Sequence, residues 1–275
     1  MNKITIKIIF YILIITLCLI LTFPLYWMFN TSISPVNELK TYPPLLFPNR
    51  PQFDVFIKIF NEREIFNWMY NSTLAAFCST FISLVVSTLA AYSLSRFNFK
   101  GNQSLGIFIL LSKMLPTTLM VIPLFVIFRQ IGLVGSLWSI VLAHATFIIP
   151  FATWMLKGYF DTIPVDLEQA AMIDGCNVIQ SLYLIVLPVS APGIAATALY
   201  GFVLSWNEFA YARTFLVINE NSWTINIGIE TFQGEYFTPW NEIMAASLIV
   251  CIPVIFVYLF LEKYLVSGLT SGFTK

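Results

Sequence analysis

The sequence predicts an all-α fold, namely a polytopic integral membrane protein with about six transmembrane helices. Of its 275 residues, 58% are hydrophobic and only 10% are charged, whereas a soluble domain carries about a quarter charged residues. Long apolar runs recur along the chain, each close to the length of about 20 residues that crosses a bilayer as a helix. The formal net charge is zero, so nothing indicates a nucleic-acid partner, and membrane lipid is the expected environment.

The predicted spans place both chain termini on the same side of the membrane. They cover about residues 8–29, 68–94, 105–128, 137–156, 181–206 and 243–265. Lys3 and Lys7 precede the first span, and lysines in short flanking segments favour the cytoplasmic side. The first apolar run is longer than the core of a signal peptide and lacks a convincing cleavage site, so we expect it to be a retained span. The external segment after it is rich in proline, and we expect one short helix there, at Phe53–Phe60.

Three spans contain residues that are unusual in a membrane. The second is rich in Ser, Thr and Ala, which serve close packing between helices. The third holds Lys113 together with Pro116 and Pro123, so a kink is expected, and Lys113 either reaches the cytoplasmic surface or takes part in gating. The fourth holds His144, which we expect to be a hydrogen-bonded core residue, because no other histidine, cysteine or carboxylate lies at metal-ligand spacing. No metal site is expected.

The polar stretch Asp161–Pro188 interrupts the apolar spans and predicts a helix, a turn and a second helix start. A helix is expected at about 164–175, since Pro164 suits a first helical turn and two carboxylates follow it. Asp174–Gly175 supplies the stop, because glycine readily takes the left-handed conformation that ends many helices. Asn177 and Gln180 give a weak capping-box signal for the restart.

The same stretch carries a motif. Ala170–Ala171 is followed by Gly175 and, after nine intervening residues, by Ile185–Pro188. This pattern resembles the cytoplasmic signature of permease subunits in bacterial and archaeal ABC importers. In that family the loop is the coupling helix, which sits in a groove of a separate ATPase subunit. The usual glutamate before the two alanines is Gln169 here, with Glu168 one residue earlier, and the change removes a charge that could form a salt bridge.

The resemblance implies a set of ATPase-coupling residues: Glu168, Gln169, Ala170, Ala171, Asp174, Gly175, Ile185, Leu187 and Pro188. From the physical pattern alone, an amphipathic helix lying on the membrane surface is the alternative.

Two further stretches resemble parts of the same family. Ser205–Phe209 is similar to a recurrent element of carbohydrate-type permeases. Its Trp206, Asn207 and Glu208 would either line a polar pathway or anchor the helix at the membrane interface. The tail Ser267–Lys275 looks like the family's short C-terminus, which contacts the ATPases.

The sequence lacks a phosphate-binding loop of the G-x-x-x-x-G-K-[ST] type. Gly101 and Gly106 have the glycine spacing, but Ile107 and Phe108 follow where lysine and a hydroxyl would be required. The expectation is therefore a non-catalytic chain without a cofactor of its own, with ATP and magnesium bound by partner subunits.

Together these features predict the transmembrane subunit of a binding-protein-dependent ABC importer of the carbohydrate or maltose type. The resemblance implies a second homologous permease subunit in a heterodimer, two ATPase subunits and an external solute-binding protein. The expected location is the bacterial or archaeal cytoplasmic membrane, with both termini in the cytoplasm. Two alternatives stay open: an ATPase-independent secondary transporter or channel, and a membrane scaffold or enzyme subunit without transport activity.

Overall fold

The computed structural model describes residues 3–234 and 236–270, with side chains described for 4–234 and 236–264. This part of the chain contains helices and loops and no strand, which confirms the all-α prediction. The helices are α1 (Lys3–Ser32), α2 (Asp54–Glu62), α3 (Ile65–Arg96), α4 (Asn102–Ser112), α5 (Thr117–Gln130), α6 (Leu137–Phe160), α7 (Val165–Ile173), α8 (Val178–Val189), α9 (Ala191–Trp206), α10 (Ala210–Leu216), α11 (Ile225–Glu230) and α12 (Trp240–Thr270). The tail predicted to contact ATPases, residues 267–275, lies outside the described side chains.

By length and composition, four of the described helices can each cross a membrane: α1, α3, α6 and α12. The third and fifth predicted spans are instead pairs of helices. The axes of α4 and α5 meet at 95°, and those of α8 and α9 at 80°. The count reaches six if each bent pair forms one span, in agreement with the prediction of about six.

Proline is the physical reason for both bends. Pro116 stands immediately before α5 with an extended ψ of 122°, and it cannot donate the N–H that would carry α4 onward. At the other bend, Pro188 and Pro192 flank the break at Ser190, after a π-helical turn at Leu182–Val186. The sequence indicated a kink near Pro116 but not a break as large as a right angle.

The chain forms two compact units, of which the first contains the residues up to Phe66 and Gly228–Ile252. Within it, α1 is apolar and is exposed on every side from Ile4 to Leu25, as expected of a helix surrounded by lipid or by another membrane subunit. The predicted external helix is present as α2. Glu242 pairs with Lys58 at 2.7 Å and with Arg63 at 3.7 Å, and the hydrogen bond to Glu242 raises the pKa of Lys58.

The second unit contains Asn67–Ile227 and the chain from Pro253. One core cluster joins α3, α5, α6, α10 and α11, with Ile140, Phe215 and Ile227 fully buried at its centre. A smaller cluster joins the last turns of α3 and α6 to α8, around Leu156 and Phe160. The smaller cluster lies beside α7 and therefore supports the elbow that the sequence singled out.

The serines of α3 lie on one buried face of that helix. Ser79, Ser83 and Ser87 are all fully buried. The Ser87 hydroxyl donates to the carbonyl of Ile149 in α6 at 3.2 Å. The opposite face is exposed, with the Phe81 side chain 60% exposed. Small hydroxyl residues thus serve close helix packing, as predicted, but only on one side of α3.

Helices α6 and α9 approach each other through a glycine. A Cβ atom added to Gly193 would lie 2.6 Å from Cγ and Cδ2 of the Tyr159 ring. No real side chain tolerates such a distance, so the tyrosine or the helix would have to move. Gly193 is therefore the residue that permits α9 to lie against the end of α6.

We predict that Gly193→Ala destabilises the protein, because overpacking a tight contact costs about 1–3 kcal/mol. The thermal midpoint of the detergent-solubilised protein, measured by size-exclusion fluorescence, should fall by several degrees. Gly158→Ala is the matched control, since a Cβ at this glycine meets nothing within 4 Å. Equal midpoints for the two variants would contradict the packing role of Gly193.

Candidate functional site

The elbow after α6 is defined by a specific helix ending. The Gly175 N–H donates to the Met172 carbonyl at 3.1 Å, and the Cys176 N–H to the Ala171 carbonyl at 3.0 Å. These two bonds form a Schellman motif, in which glycine takes the left-handed conformation. Gly175 does so with φ of 95°. The turn direction therefore depends on the residue that the sequence identified as the stop.

A full capping box starts the next helix. The Asn177 side chain accepts from the Gln180 N–H at 2.9 Å, and the Gln180 side chain accepts from the Asn177 N–H at 2.8 Å. Both ends of the elbow thus have their backbone groups satisfied locally. The weak capping signal in the sequence corresponds to a complete motif, and it fixes where α8 begins relative to α7.

A buried ion pair attaches α7 to the end of α3. Glu168 accepts from Arg96 Nε at 2.5 Å and from the Tyr92 hydroxyl at 2.7 Å. Arg96 Nη2 also donates to the Ile163 carbonyl at 3.1 Å. The Glu168 and Arg96 side chains are only 3% and 8% exposed. Because both charges are buried and both are paired, removal of either would leave a charge without compensation.

A second link joins the ends of α3 and α6 near the same place. The Asp161 carboxylate accepts from Ser95 Oγ at 2.6 Å and from Lys157 Nζ at 2.7 Å. Burial alone would raise the pKa of Asp161, but the hydrogen bonds from Lys157 and Ser95 outweigh it and lower that pKa below its usual value. The segment between α6 and α7 is therefore held at both ends by polar contacts with α3.

The predicted coupling residues divide between two faces of the elbow. Glu168 and Ala171 are buried against the protein, so the Glu168 side chain is directed inward. Outward-facing predicted residues are Gln169, Ala170, Asp174, Gly175 and Pro188. Ile185 and Leu187 are half-buried in α8. The outer face also carries Ile173, which is 86% exposed and which the sequence did not single out.

A largely apolar cavity with several polar side chains in its lining lies at the break between α4 and α5. It has a volume of about 760 Å³ and is lined by Lys113, Thr117, Tyr200, Asn207 and Glu208 together with apolar residues of α6 and α9. Lys113 donates to the Tyr200 hydroxyl at 2.9 Å. Its side chain thus lies against α9 and the cavity, rather than extending to the cytoplasmic surface.

The predicted pathway residues occupy different environments. Asn207 and Glu208 line the cavity, whereas the Trp206 side chain is 2% exposed and packs inside the protein. The Asn226 side chain donates to the carbonyls of Trp206 and Glu208 at 2.8 and 3.1 Å. The loop after α9 is therefore held by the Asn226 side chain, and Trp206 packs inside the protein instead of lining the cavity.

His144 connects three segments behind the cavity. Its Nδ1 lies 2.5 Å from Ser205 Oγ, and its Nε2 lies 3.3 Å from the Glu208 carboxylate. Ser79 of α3 donates to Ser205 at 3.0 Å. The backbone N–H groups of Tyr211 and Ala212 donate to Glu208 at 2.9 and 3.1 Å. This arrangement is the hydrogen-bonded core histidine that the sequence predicted.

Sequence reasoning missed Tyr92, Arg96 and Tyr200 as functional candidates. Arg96 is the last residue of α3, and a basic residue at the end of an apolar span was the available signal. A charged residue at the end of an apolar span normally indicates topology, and its pairing with Glu168 is visible only in three dimensions. Tyr200 lies in an apolar helix with no local indication of the lysine opposite.

Comparison with known proteins identifies the class. Residues 83–271 match the family described as binding-protein-dependent transport system inner membrane component. The chain belongs to this family and is the inner-membrane permease component of an importer, as the coupling-loop motif predicted.

The curated relatives are similar over nearly the whole chain. The permease protein DasC of the diacetylchitobiose uptake system of Streptomyces coelicolor is 32% identical, over 93% of this chain and 92% of its own. SmoH of the sulfoquinovosyl glycerol transport system of Agrobacterium fabrum is 35% identical, over 92% and 88%. MalG of the trehalose/maltose transport system of Thermococcus litoralis is 34% identical, over 95% and 94%.

A solved structure has the same fold. It belongs to a bacterial ABC transporter involved in the import of the acidic polysaccharide alginate, with a TM-score of 0.80 and 21% identity. The match covers 96% of this chain and 98% of that one.

We predict that Glu168→Gln strongly destabilises the protein, although glutamine keeps the shape and can still accept hydrogen bonds. The change leaves Arg96 as a buried, unpaired charge, and breaking such a pair costs about 3–5 kcal/mol. Asp166→Asn is the control, because this exposed carboxylate in the first turn of α7 contributes only about 0.3–1 kcal/mol through the helix dipole. If the two variants melt at the same temperature, the ion pair does not hold α7.

Proposed function

We propose that this chain is the permease subunit of an ABC importer for a saccharide or glycoside, paired with a second, related permease subunit. The observation that carries the solute class is the identity of 32–35%, over more than nine tenths of this chain, with permeases named for diacetylchitobiose, sulfoquinovosyl glycerol and trehalose or maltose uptake. In this proposal two ATPase subunits supply the energy, and an external binding protein delivers the solute.

The elbow at α7 is the proposed contact with the ATPase. Its outer face combines the exposed side chain of Ile173 with the small Ala170 and the glycine turn at Gly175, which leave room for another surface. Its inner face is fixed by Glu168. A partner that pushes on the outer face would therefore move α3 and α6 as well, and such differential contacts are what a nucleotide-driven switch requires.

The proposed orientation puts both termini and the elbow in the cytoplasm. The support is the pair of lysines, Lys3 and Lys7, before α1, together with the six-span count. Labelling of a cysteine introduced at Ala170 in a cysteine-free background tests the orientation, since Ala170 is exposed whereas Ala171 is buried. A membrane-impermeant maleimide should react only with inside-out vesicles.

We predict that the assembled transporter takes up a saccharide only when ATP is present. The test is a thermal-shift screen of the binding protein encoded with this transporter against trehalose, maltose, diacetylchitobiose, galactotriose and alginate trisaccharide. The saccharide that stabilises the binding protein most is then tested for uptake by proteoliposomes that contain the full complex. Uptake should stop when ATP is removed with ion gradients held. Uptake that persists without ATP would favour a secondary transporter, and a panel without any stabiliser would contradict the saccharide class.

We predict that Ile173→Asp abolishes copurification of the ATPase subunits, because it places a charge where an apolar contact is proposed. Ile57→Asp is the matched control: Ile57 is 67% exposed but lies on α2, in the segment proposed to be external. The permease pair should still be recovered in both variants. Normal recovery of the ATPase subunits with Ile173→Asp would show that α7 is not the docking helix.

A further inference from the structure

The cavity at the α4–α5 break is lined by a cationic side chain, Lys113, as well as by the carboxylate of Glu208. Lys113 appears in none of the ion pairs among the described side chains. Its ammonium donates to the Tyr200 hydroxyl at 2.9 Å and, weakly, to the Phe147 carbonyl at 3.4 Å. Ionisable residues inside a membrane protein are costly and mark solute paths or relays. A lysine at a helix break that pairs with no described acid therefore indicates a ligand contact.

The surroundings of Lys113 stabilise the cation without neutralising it. The ammonium nitrogen lies 5.6 Å from the ring centroid of Tyr200 and 5.9 Å from that of Phe151. The two rings are themselves in contact, with centroids 4.3 Å apart. Such cation–π contacts are weakly attractive and supply no hydrogen-bond acceptor. One ammonium proton thus remains without an acceptor among the described residues.

Tyr200 has a donor available as well. Its oxygen accepts from Lys113, and its own proton has no acceptor among the described residues. Glu208, on the same wall, already receives two backbone N–H groups and lies near His144. Lys113 and Tyr200 therefore place two available donors side by side on this wall, which Thr117 and Asn207 also line.

We propose that Lys113 and Tyr200 form a solute-binding donor pair in this subunit, which binds a saccharide through an oxygen acceptor, either a hydroxyl or a carboxylate. This inference rests on the proposed saccharide function and names the residues that contact the solute. The cavity volume of about 760 Å³ falls within the range of about 300–1,000 Å³ for small-molecule sites. The ring of Tyr200, which lines the cavity, gives an apolar surface of the kind that the faces of sugar rings contact.

The geometry also limits which residues contact the solute. Trp206, a pathway residue in the sequence prediction, is buried and does not line the cavity. Asn207 lines the cavity, and its side-chain N–H donates to the Val203 carbonyl at 2.9 Å. No described residue donates a hydrogen bond to its amide oxygen. The primary contact is therefore assigned to Lys113 and Tyr200, with Asn207 at the edge.

The test uses the complete transporter in proteoliposomes with the saccharide that best stabilises its binding protein. Lys113→Met removes the charge and keeps the length of the side chain. The measured quantity is the number of saccharide molecules imported per ATP hydrolysed. Loss of one hydrogen bond to a charged group predicts a fall of about tenfold for a neutral saccharide and of up to about a hundredfold for a carboxylate-bearing one. Lys113→Arg should restore most of the loss.

The controls separate binding from folding. Lys100→Met alters an exposed lysine outside the cavity and should leave the ratio unchanged. Tyr200→Phe removes the second donor and keeps the ring, so it should lower the ratio in a complex that assembles normally. A purely structural role for Lys113 would lower the yield and the ATPase rate together without changing the ratio. A wild-type ratio in both Lys113→Met and Tyr200→Phe overturns the inference, while ATP-dependent uptake by the wild-type complex would leave the proposed function intact.

Discussion

The ion pair between Arg96 and Glu168 is the constraint on which the position of the elbow depends. A helix of the length of α7, Val165–Ile173, is marginal in isolation, because so few backbone hydrogen bonds form for the entropy that is lost. A buried pair of charges with a specific geometry gives it one position against α3. The cost of burying both charges makes alternatives to this position expensive, since any displacement would separate them in a medium of low dielectric constant. Rigidity at the elbow is therefore produced by electrostatics and supplemented by packing.

The polar side chains around the cavity follow the same rule, namely that buried charges need partners, but not all of them are paired. Glu208 and His144 are paired with each other and with Ser205 and backbone groups, so they interlock helices and have little capacity left. Lys113 is not paired with an acid in the described part of the chain. Polar groups that satisfy one another stabilise the bundle, whereas a polar group that remains unsatisfied is available to a solute. The bend at Pro116 is what brings Lys113 to the cavity wall, because it ends α4 there.

Local patterns in the sequence predicted the helical class, the approximate spans and the elbow, because apolar length, glycine at a helix end and a capping pair act over a few residues. Gly175 and the Asn177–Gln180 box are examples, and the structure has both. The bends of 95° and 80° could not be obtained in this way, since the angle at a proline depends on what packs around it. The inward direction of Glu168 was likewise inaccessible, because its partner Arg96 is distant in the chain.

Helix α7 and the Arg96 end of α3 are expected to move as one body, and a distance measurement tests this directly. Spin labels at Gln169 on α7 and Leu89 on α3, both exposed positions, would be introduced into a cysteine-free complex. Double electron–electron resonance would then be recorded without nucleotide and after trapping with ATP and vanadate. The account predicts one narrow distance distribution with the same mean in both states, broadened by Glu168→Gln. A different mean distance in the two nucleotide states of the otherwise unaltered complex would contradict it.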